Sequence, residues 1–119
     1  MRRVAIAIGE GSDLDARVDP HFGRAERFLV ADVETGALVE VRQNTAAQDA
    51  HGAGTGAAGL VADLGAGEAI AGRFGPKAYD ALRALGIAMY QVPEGLLARE
   101  ALAQLRDGKL LPFEVKVIE

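Results

Sequence analysis

Arg27-Phe28-Leu29-Val30-Ala31-Asp32-Val33-Glu34-Thr35-Gly36-Ala37-Leu38-Val39-Glu40-Val41-Arg42 is the stretch on which the fold turns. Two strand-like segments, Arg27 to Val33 and Ala37 to Arg42, flank Glu34-Thr35-Gly36, a short turn carrying a glycine. That pattern predicts a hairpin, so the two strands are antiparallel neighbours. Upstream, Val4-Ala5-Ile6-Ala7-Ile8 is an unbroken apolar run closed by Gly9, as expected of a strand buried on both faces. Three strands therefore come first.

Downstream the period changes. Leu60, Val61 and Leu64 fall at helical spacing inside Thr55 to Leu64, before Gly65 and Gly67 end the segment. Glu68 to Ala71 reads as a short strand. Gly75-Pro76 then opens a helix, with proline suited to the first helical position and Tyr79, Leu82 and Leu85 on one face before Gly86. Ile87 to Val92 is the next strand. Pro93-Glu94-Gly95 introduces a third helix with Leu96, Leu97, Ala101, Leu102 and Leu105 on its apolar stripe, stopped by Asp107-Gly108. The tail 109–119 ends in an alternating Phe113 to Ile118 segment, expected as an edge strand or a docked arm. An antiparallel meander followed by right-handed crossovers makes a mixed α/β sheet.

Composition narrows the chemistry. The 119 residues, half of them hydrophobic, suit one domain spanning 1–119. With 13 Lys and Arg against 17 Asp and Glu, a net charge of −4 gives no global basic field for nucleic acid or anionic lipid. Any anion site must be local. No cysteine is present, which removes disulfides, catalytic thiolates and thiolate metal sites. No apolar run approaches the roughly 20 residues of a membrane span or the 7–15 of a signal core, so the chain is expected to be cytoplasmic.

Gly54-Thr55-Gly56-Ala57-Ala58-Gly59 matches the dinucleotide pattern G-x-G-x-x-G literally, with Asp80 about 20 residues on. Its context does not fit: loop residues, not a strand, precede the first glycine, and Asp80 falls inside a helix. The carboxylates Asp13, Asp15 and Asp19 read as turn and cap residues of a polar loop running from Gly9 to Arg24. Ser12 is the only serine and no G-x-S-x-G occurs, so a serine-hydrolase elbow is absent.

The most particular segment is Asp19-Pro20-His21-Phe22-Gly23-Arg24-Ala25. Phe22 can anchor this loop, Gly23 permits close backbone approach, and His21 and Arg24 present an imidazole and a fixed positive charge. His51, in Ala50-His51-Gly52-Ala53-Gly54, offers a second imidazole. Strand polarity brings the loop after the first strand, the loop from Asn44 to Gly54 and the turn Gly72 to Pro76 to one edge of the sheet. His21, Arg24, His51, Arg73 and Lys77 can then share one face, with helix N-termini near Thr55 and Pro76 favouring an anionic ligand.

In these residues the chain resembles the dinitrogenase iron-molybdenum cofactor biosynthesis family, the NifX and NifB C-terminal type of domain. The resemblance runs through Val4-Ala5-Ile6-Ala7, the Asp19 to Ala25 motif, Phe28 to Val33 with Glu34-Thr35-Gly36, the glycine-rich His51 region, Gly75-Pro76-Lys77-Ala78, Leu85-Gly86-Ile87 and Gly108-Lys109-Leu110. It implies a ribonuclease H-like α/β fold: a mixed five-stranded sheet, three antiparallel strands then two parallel ones, flanked by about three helices. It further implies a nitrogen fixation-related carrier, not an enzyme, that holds the iron-molybdenum cofactor, a precursor of it or another iron-sulfur-type cluster. His21 and His51 would be its metal ligands, and Arg24, Gly52, Gly54 and Lys77 would cradle the anionic cluster. Partners would be proteins that donate or accept metal-sulfur clusters, with a homodimer also open. Lacking cysteine, the chain departs from relatives that offer a thiolate, which points to transient holding. The first strand carries no carboxylate, so the fold name brings no nuclease site with it. The other reading left by the residues is a metal-free nucleotide- or anion-binding regulatory module using the same glycine-rich edge; a plain interaction domain working through its sheet edge or C-terminal arm is a third.

Overall fold

The computed structural model describes residues 1–48, 52–93 and 95–115. Its elements follow the expected order: β1 (Arg3–Ile8), β2 (Arg27–Asp32), β3 (Leu38–Gln43), α1 (Ala53–Asp63), β4 (Glu68–Ala71), α2 (Pro76–Ala84), β5 (Ala88–Gln91) and α3 (Ala98–Arg106). The five strands form one sheet in the order β3-β2-β1-β4-β5. β1–β2 and β2–β3 pair antiparallel, while β1–β4 and β4–β5 pair parallel. This is the mixed sheet with three helices that the sequence predicts.

The unbroken apolar run of β1 has a simple cause: helices cover both of its faces. Val4, Ile6 and Ile8 face one layer, packed with Leu29, Ile70 and the Ala98, Ala101, Leu102 and Leu105 stripe of α3. Ala5 and Ala7 face the other, packed with Phe28, Val30, Ala69 and Ala71 beneath Ala57, Val61, Ala78 and Leu82 of α1 and α2. Each fully buried Ile, Leu or Phe contributes roughly 1.5–3 kcal/mol relative to exposure, so the central strand is the main hydrophobic investment of the fold. At the bottom of the sheet the buried Glu68 is held by Arg2, whose Nε and Nη2 donate to its two carboxylate oxygens at 2.6 and 2.9 Å.

One expectation needs adjustment, and two open ones become specific. The first helix begins at Ala53 rather than Thr55, so Gly54 joins Gly56 and Gly59 within α1 instead of lying in the loop before it. A dinucleotide loop is thereby excluded, because its glycines must turn the chain between strand and helix. Packing explains two of them: a Cβ on Gly54 would lie 2.9 Å from the Ala78 nitrogen, and one on Gly56 would lie 2.6 Å from the Ala46 Cβ. Next, the long loop after β1 is far from structureless. Asp19 N–H donates to Ala7 O at 2.7 Å, Gly72 N–H donates to Asp19 O at 2.9 Å, and Val18 N–H donates to Leu96 O at 2.8 Å, so it is laced into the top of the sheet. Finally, residues 109–115 form a docked arm and not an edge strand. Phe113 N–H donates to Met89 O of β5 at 2.7 Å, and its ring meets Phe74 and Tyr79. The part of that expectation resting on 116–119 lies outside the described residues.

Candidate functional site

Because β1 and β4 are parallel, the loops that follow them leave the same edge of the sheet, and β3 delivers the chain to α1 at that edge too. A cleft of about 490 Å³ opens there, lined by His21, Phe22, Gly23, Arg24, Ala53, Gly54, Arg73, Gly75, Pro76, Lys77 and Ala78.

The cleft is built by close backbone approach. A Cβ on Gly23 would lie 3.0 Å from Gly54 Cα, and one on Gly54 would lie 2.9 Å from Ala78 N. Loop, α1 and α2 therefore stack backbone on backbone, which any larger side chain at those glycines would prise apart. Hydrogen bonds hold the loop from below. His21 N–H donates to Asp19 Oδ1 at 2.9 Å, and Phe22 N–H donates to Arg73 O at 3.1 Å, part of a parallel bridge between His21 and Arg73. Phe22 is buried, with its ring centroid 5.1 Å from both Phe28 and Phe74, and anchors the loop in the core. Arg24 Nη1 donates to Ala47 O at 2.8 Å, tying the loop to the segment between β3 and α1. Asn44 braces it from behind, its Nδ2 donating to Gly23 O and Ala25 O at 3.2 and 2.9 Å.

Among the described residues, Arg24, Arg73 and Lys77 line the cleft and no carboxylate does, in a chain whose net charge is −4. α1 and α2 both present their N-termini here, with Gly52 and Gly75 at the caps, no side-chain cap bond and no acidic residue in the first turn. The amides of those first turns have no acceptor within their own helices, and the helix dipoles add positive potential. At the start of α3, away from the cleft, the opposite arrangement holds: Glu100 Oε1 accepts the Leu97 N–H at 3.0 Å. A geometry of this kind can hold a compact anion by charge and amide donation, with the apolar faces of Phe22, Ala53 and Pro76 shielding it from water.

Of the residues expected at this edge, His21, Arg24, Gly54, Arg73 and Lys77 line the cleft. Gly52 is the α1 cap, just outside the lining. His51 lies outside the described residues. Among the described residues no three His, Asp or Glu side chains gather into a metal-binding group. The loop carboxylates are used locally, as their sequence context predicts: Asp13 Oδ1 accepts the Asp15 N–H at 2.9 Å, and Asp15 pairs with Arg99 at 3.0 Å. Phe74, against which Phe22 packs, escaped the sequence reading; its only signal was an aromatic between Arg73 and Gly75.

The family described as dinitrogenase iron-molybdenum cofactor matches residues 2–108. An uncharacterized protein of Methanocaldococcus jannaschii is 38% identical over 100 residues, covering 82% of this chain and 84% of the relative. Among solved structures, the apo form of the orange protein from Desulfovibrio gigas superposes with a TM-score of 0.86 at 42% identity, covering 96% of this chain and 98% of that one. A candidate NifB protein from Thermotoga, solved by NMR, superposes with a TM-score of 0.81 at 34% identity, covering 100% and 99%. Among the described residues no helix is long and apolar enough to cross a membrane.

Proposed function

The chain belongs to the dinitrogenase iron-molybdenum cofactor family, and from that premise we propose that it is a non-enzymatic carrier of an anionic metal-sulfur cluster. The observation that carries this reading is the lining of the cleft, where the described residues bring together three cations, one imidazole and two helix N-termini with no carboxylate among them. With no cysteine in the chain, any thiolate or sulfide ligand arrives with the cargo, which fits uptake of a preformed cluster. His21 supplies an imidazole to a metal at the cluster surface, and His51 is its proposed second ligand. Arg24 and Lys77, with the amides around Gly52 and Gly54, balance the sulfide charge. Cargo held mainly by charge and one or two imidazoles exchanges readily, which suits delivery between a cluster donor and an acceptor protein. An iron-molybdenum cofactor precursor, an iron-sulfur cluster and a thiomolybdate share the chemistry this cleft recognises.

The test is anaerobic loading. Iron-sulfide and thiomolybdate clusters are added separately to wild type, His21→Ala and His51→Ala, and retained metal and visible absorption are measured after desalting. Wild type is expected to retain coloured cargo and His21→Ala to lose most of it. A folded wild-type protein that retains neither cluster overturns the carrier reading.

The uncapped pair of helix N-termini supports a second reading, a metal-free module that binds a nucleotide or another anion. Binding of a phosphorylated ligand by metal-free protein, unchanged in His21→Ala, would favour it over the carrier.

A further inference from the structure

The two edges of the sheet are treated differently. At β5 the docked arm takes up Met89 O through the Phe113 N–H. At β3, no strand among the described residues pairs with the outer edge. β3 is also the least covered strand, with Leu38 and Val39 exposed at 41% and 37%. Open edges of this kind template pairing with another strand unless charge or geometry forbids it.

Here charge selects a partner. The Asn44 N–H donates to Glu26 O at 2.9 Å, and the ladder continues with Arg42 opposite Phe28 and Glu40 opposite Val30. In an antiparallel ladder successive residues turn their N–H and C=O groups to alternate sides. Arg42 and Glu40 thus direct theirs to β2, while Val41 and Gln43 direct theirs outward. A second copy of β3 can pair antiparallel about a two-fold axis centred on residue 40, 41 or 42. Centred on Glu40 or on Arg42, the axis sets like charges directly opposite each other. Centred on Val41, it lets the two Val41 residues exchange their outward N–H and C=O groups and places Glu40 of each copy opposite Arg42 of the other. Those facing residues form a non-hydrogen-bonded pair, the position where cross-strand side chains lie closest. Within one copy Arg42 Nη2 already meets Glu40 Oε2 at 2.9 Å, so the four side chains would close an alternating ring of charge.

We propose that β3 is a self-complementary edge that pairs with β3 of a second copy of this chain about a two-fold axis at Val41, joining two sheets into one of ten strands. The axis passes through the sheet perpendicular to its plane, so the two clefts stand at opposite ends of the joined sheet and both stay open. The inference is independent of what the cleft holds.

Sedimentation across a wide concentration range at low salt tests it. Wild type is expected to dimerise, and Glu40→Arg and Arg42→Glu to weaken the dimer roughly tenfold each, since both facing pairs become like-charged. The double exchange Glu40→Arg with Arg42→Glu restores association. So does an equimolar mixture of the two single variants, because one then carries two arginines and the other two glutamates at the facing positions. Val41→Pro removes an outward N–H without touching the β2 ladder and is expected to abolish dimers. Wild type that stays monomeric at every concentration overturns the proposal. So do single variants that associate like wild type, or folded variants that fail to associate when mixed.

Discussion

Gly72 and Pro20 meet backbone to backbone: a Cβ placed on Gly72 would lie 2.6 Å from Pro20 Cα and 2.7 Å from its carbonyl oxygen. This contact clamps the loop that carries His21 and Arg24 onto the end of β4, where Gly72 N–H also donates to Asp19 O. Since neither backbone can rotate away, Gly72→Ala is expected to lower stability by about 1–3 kcal/mol, the usual range for overpacking. The displaced loop should also cost cluster retention. Thermal unfolding and the loading assay check the two effects, and unchanged values in both would show that the clamp is dispensable.

Arg73 contributes charge to the cleft from the loop between β4 and α2. Arg73→Gln and Lys77→Gln are each expected to weaken thiomolybdate binding roughly three- to tenfold at low ionic strength, with the difference shrinking as salt screens the exposed charges. A titration at two salt concentrations decides it. Equal affinity in wild type and both variants at low salt would leave the cations without a part in binding.

Phe113 links Tyr79 to an aromatic series that starts in the core: Phe28, Phe22, Phe74, Phe113 and Tyr79 lie ring to ring, with successive centroids 5.1 to 6.2 Å apart. Phe113→Ala removes a half-buried link of that series and is expected to cost about 1–2 kcal/mol, less than a fully buried phenylalanine would. Limited proteolysis should then cut between Lys109 and Val115 faster than in wild type. An unchanged cleavage rate would mean that the arm's hydrogen bonds, from Phe113 N–H to Met89 O and from Val115 N–H to the Tyr79 hydroxyl, hold it without the ring.

Burial, reinforced by the charge of Glu68 and a hydrogen bond to it, raises the Tyr90 phenol above its usual range, while Arg2 opposes the shift. Below the unfolded value of about 10, both folded and unfolded phenols are protonated and the contribution is fully present. As pH climbs, the unfolded phenol ionises first, so stability falls until the folded phenol ionises as well. Melting temperature measured from pH 8 upward should decline past pH ~10 in wild type and decline less in Tyr90→Phe. Identical slopes would place the alkaline sensitivity elsewhere.

The hairpin around Glu34-Thr35-Gly36 was legible because turn chemistry and alternation are local properties, read within sixteen residues. So were β1, whose solid apolar run admits only a strand covered on both faces, and α2 with proline at its start. The Asp19 to Ala25 segment stood out through its mix of imidazole, guanidinium and glycine. The start of α1 was misplaced because glycine is a poor helix former, and only its contacts explain its presence: Gly54 is small because Ala78 is there. The Arg2–Glu68 pair was invisible for a related reason, its partners being 66 positions apart with no local pattern to join them.

Local chemistry by itself determined the kinds and sequence of elements, since hydrophobic period, caps and turns act over a few residues. It also determined which residues could carry chemistry and, through the missing cysteines, that the chain has no thiolate of its own to offer a metal. Only the tertiary structure decided that Gly23, Gly54 and Ala78 stack, that Arg24, Arg73 and Lys77 line one cleft, and that the docked arm reaches β5 while no described strand pairs with the outer edge of β3. Those relations join residues far apart in the chain. They exist because two parallel crossovers and one long loop are pulled to the same sheet edge by burial of both faces of β1, a global demand that no single stretch of sequence expresses.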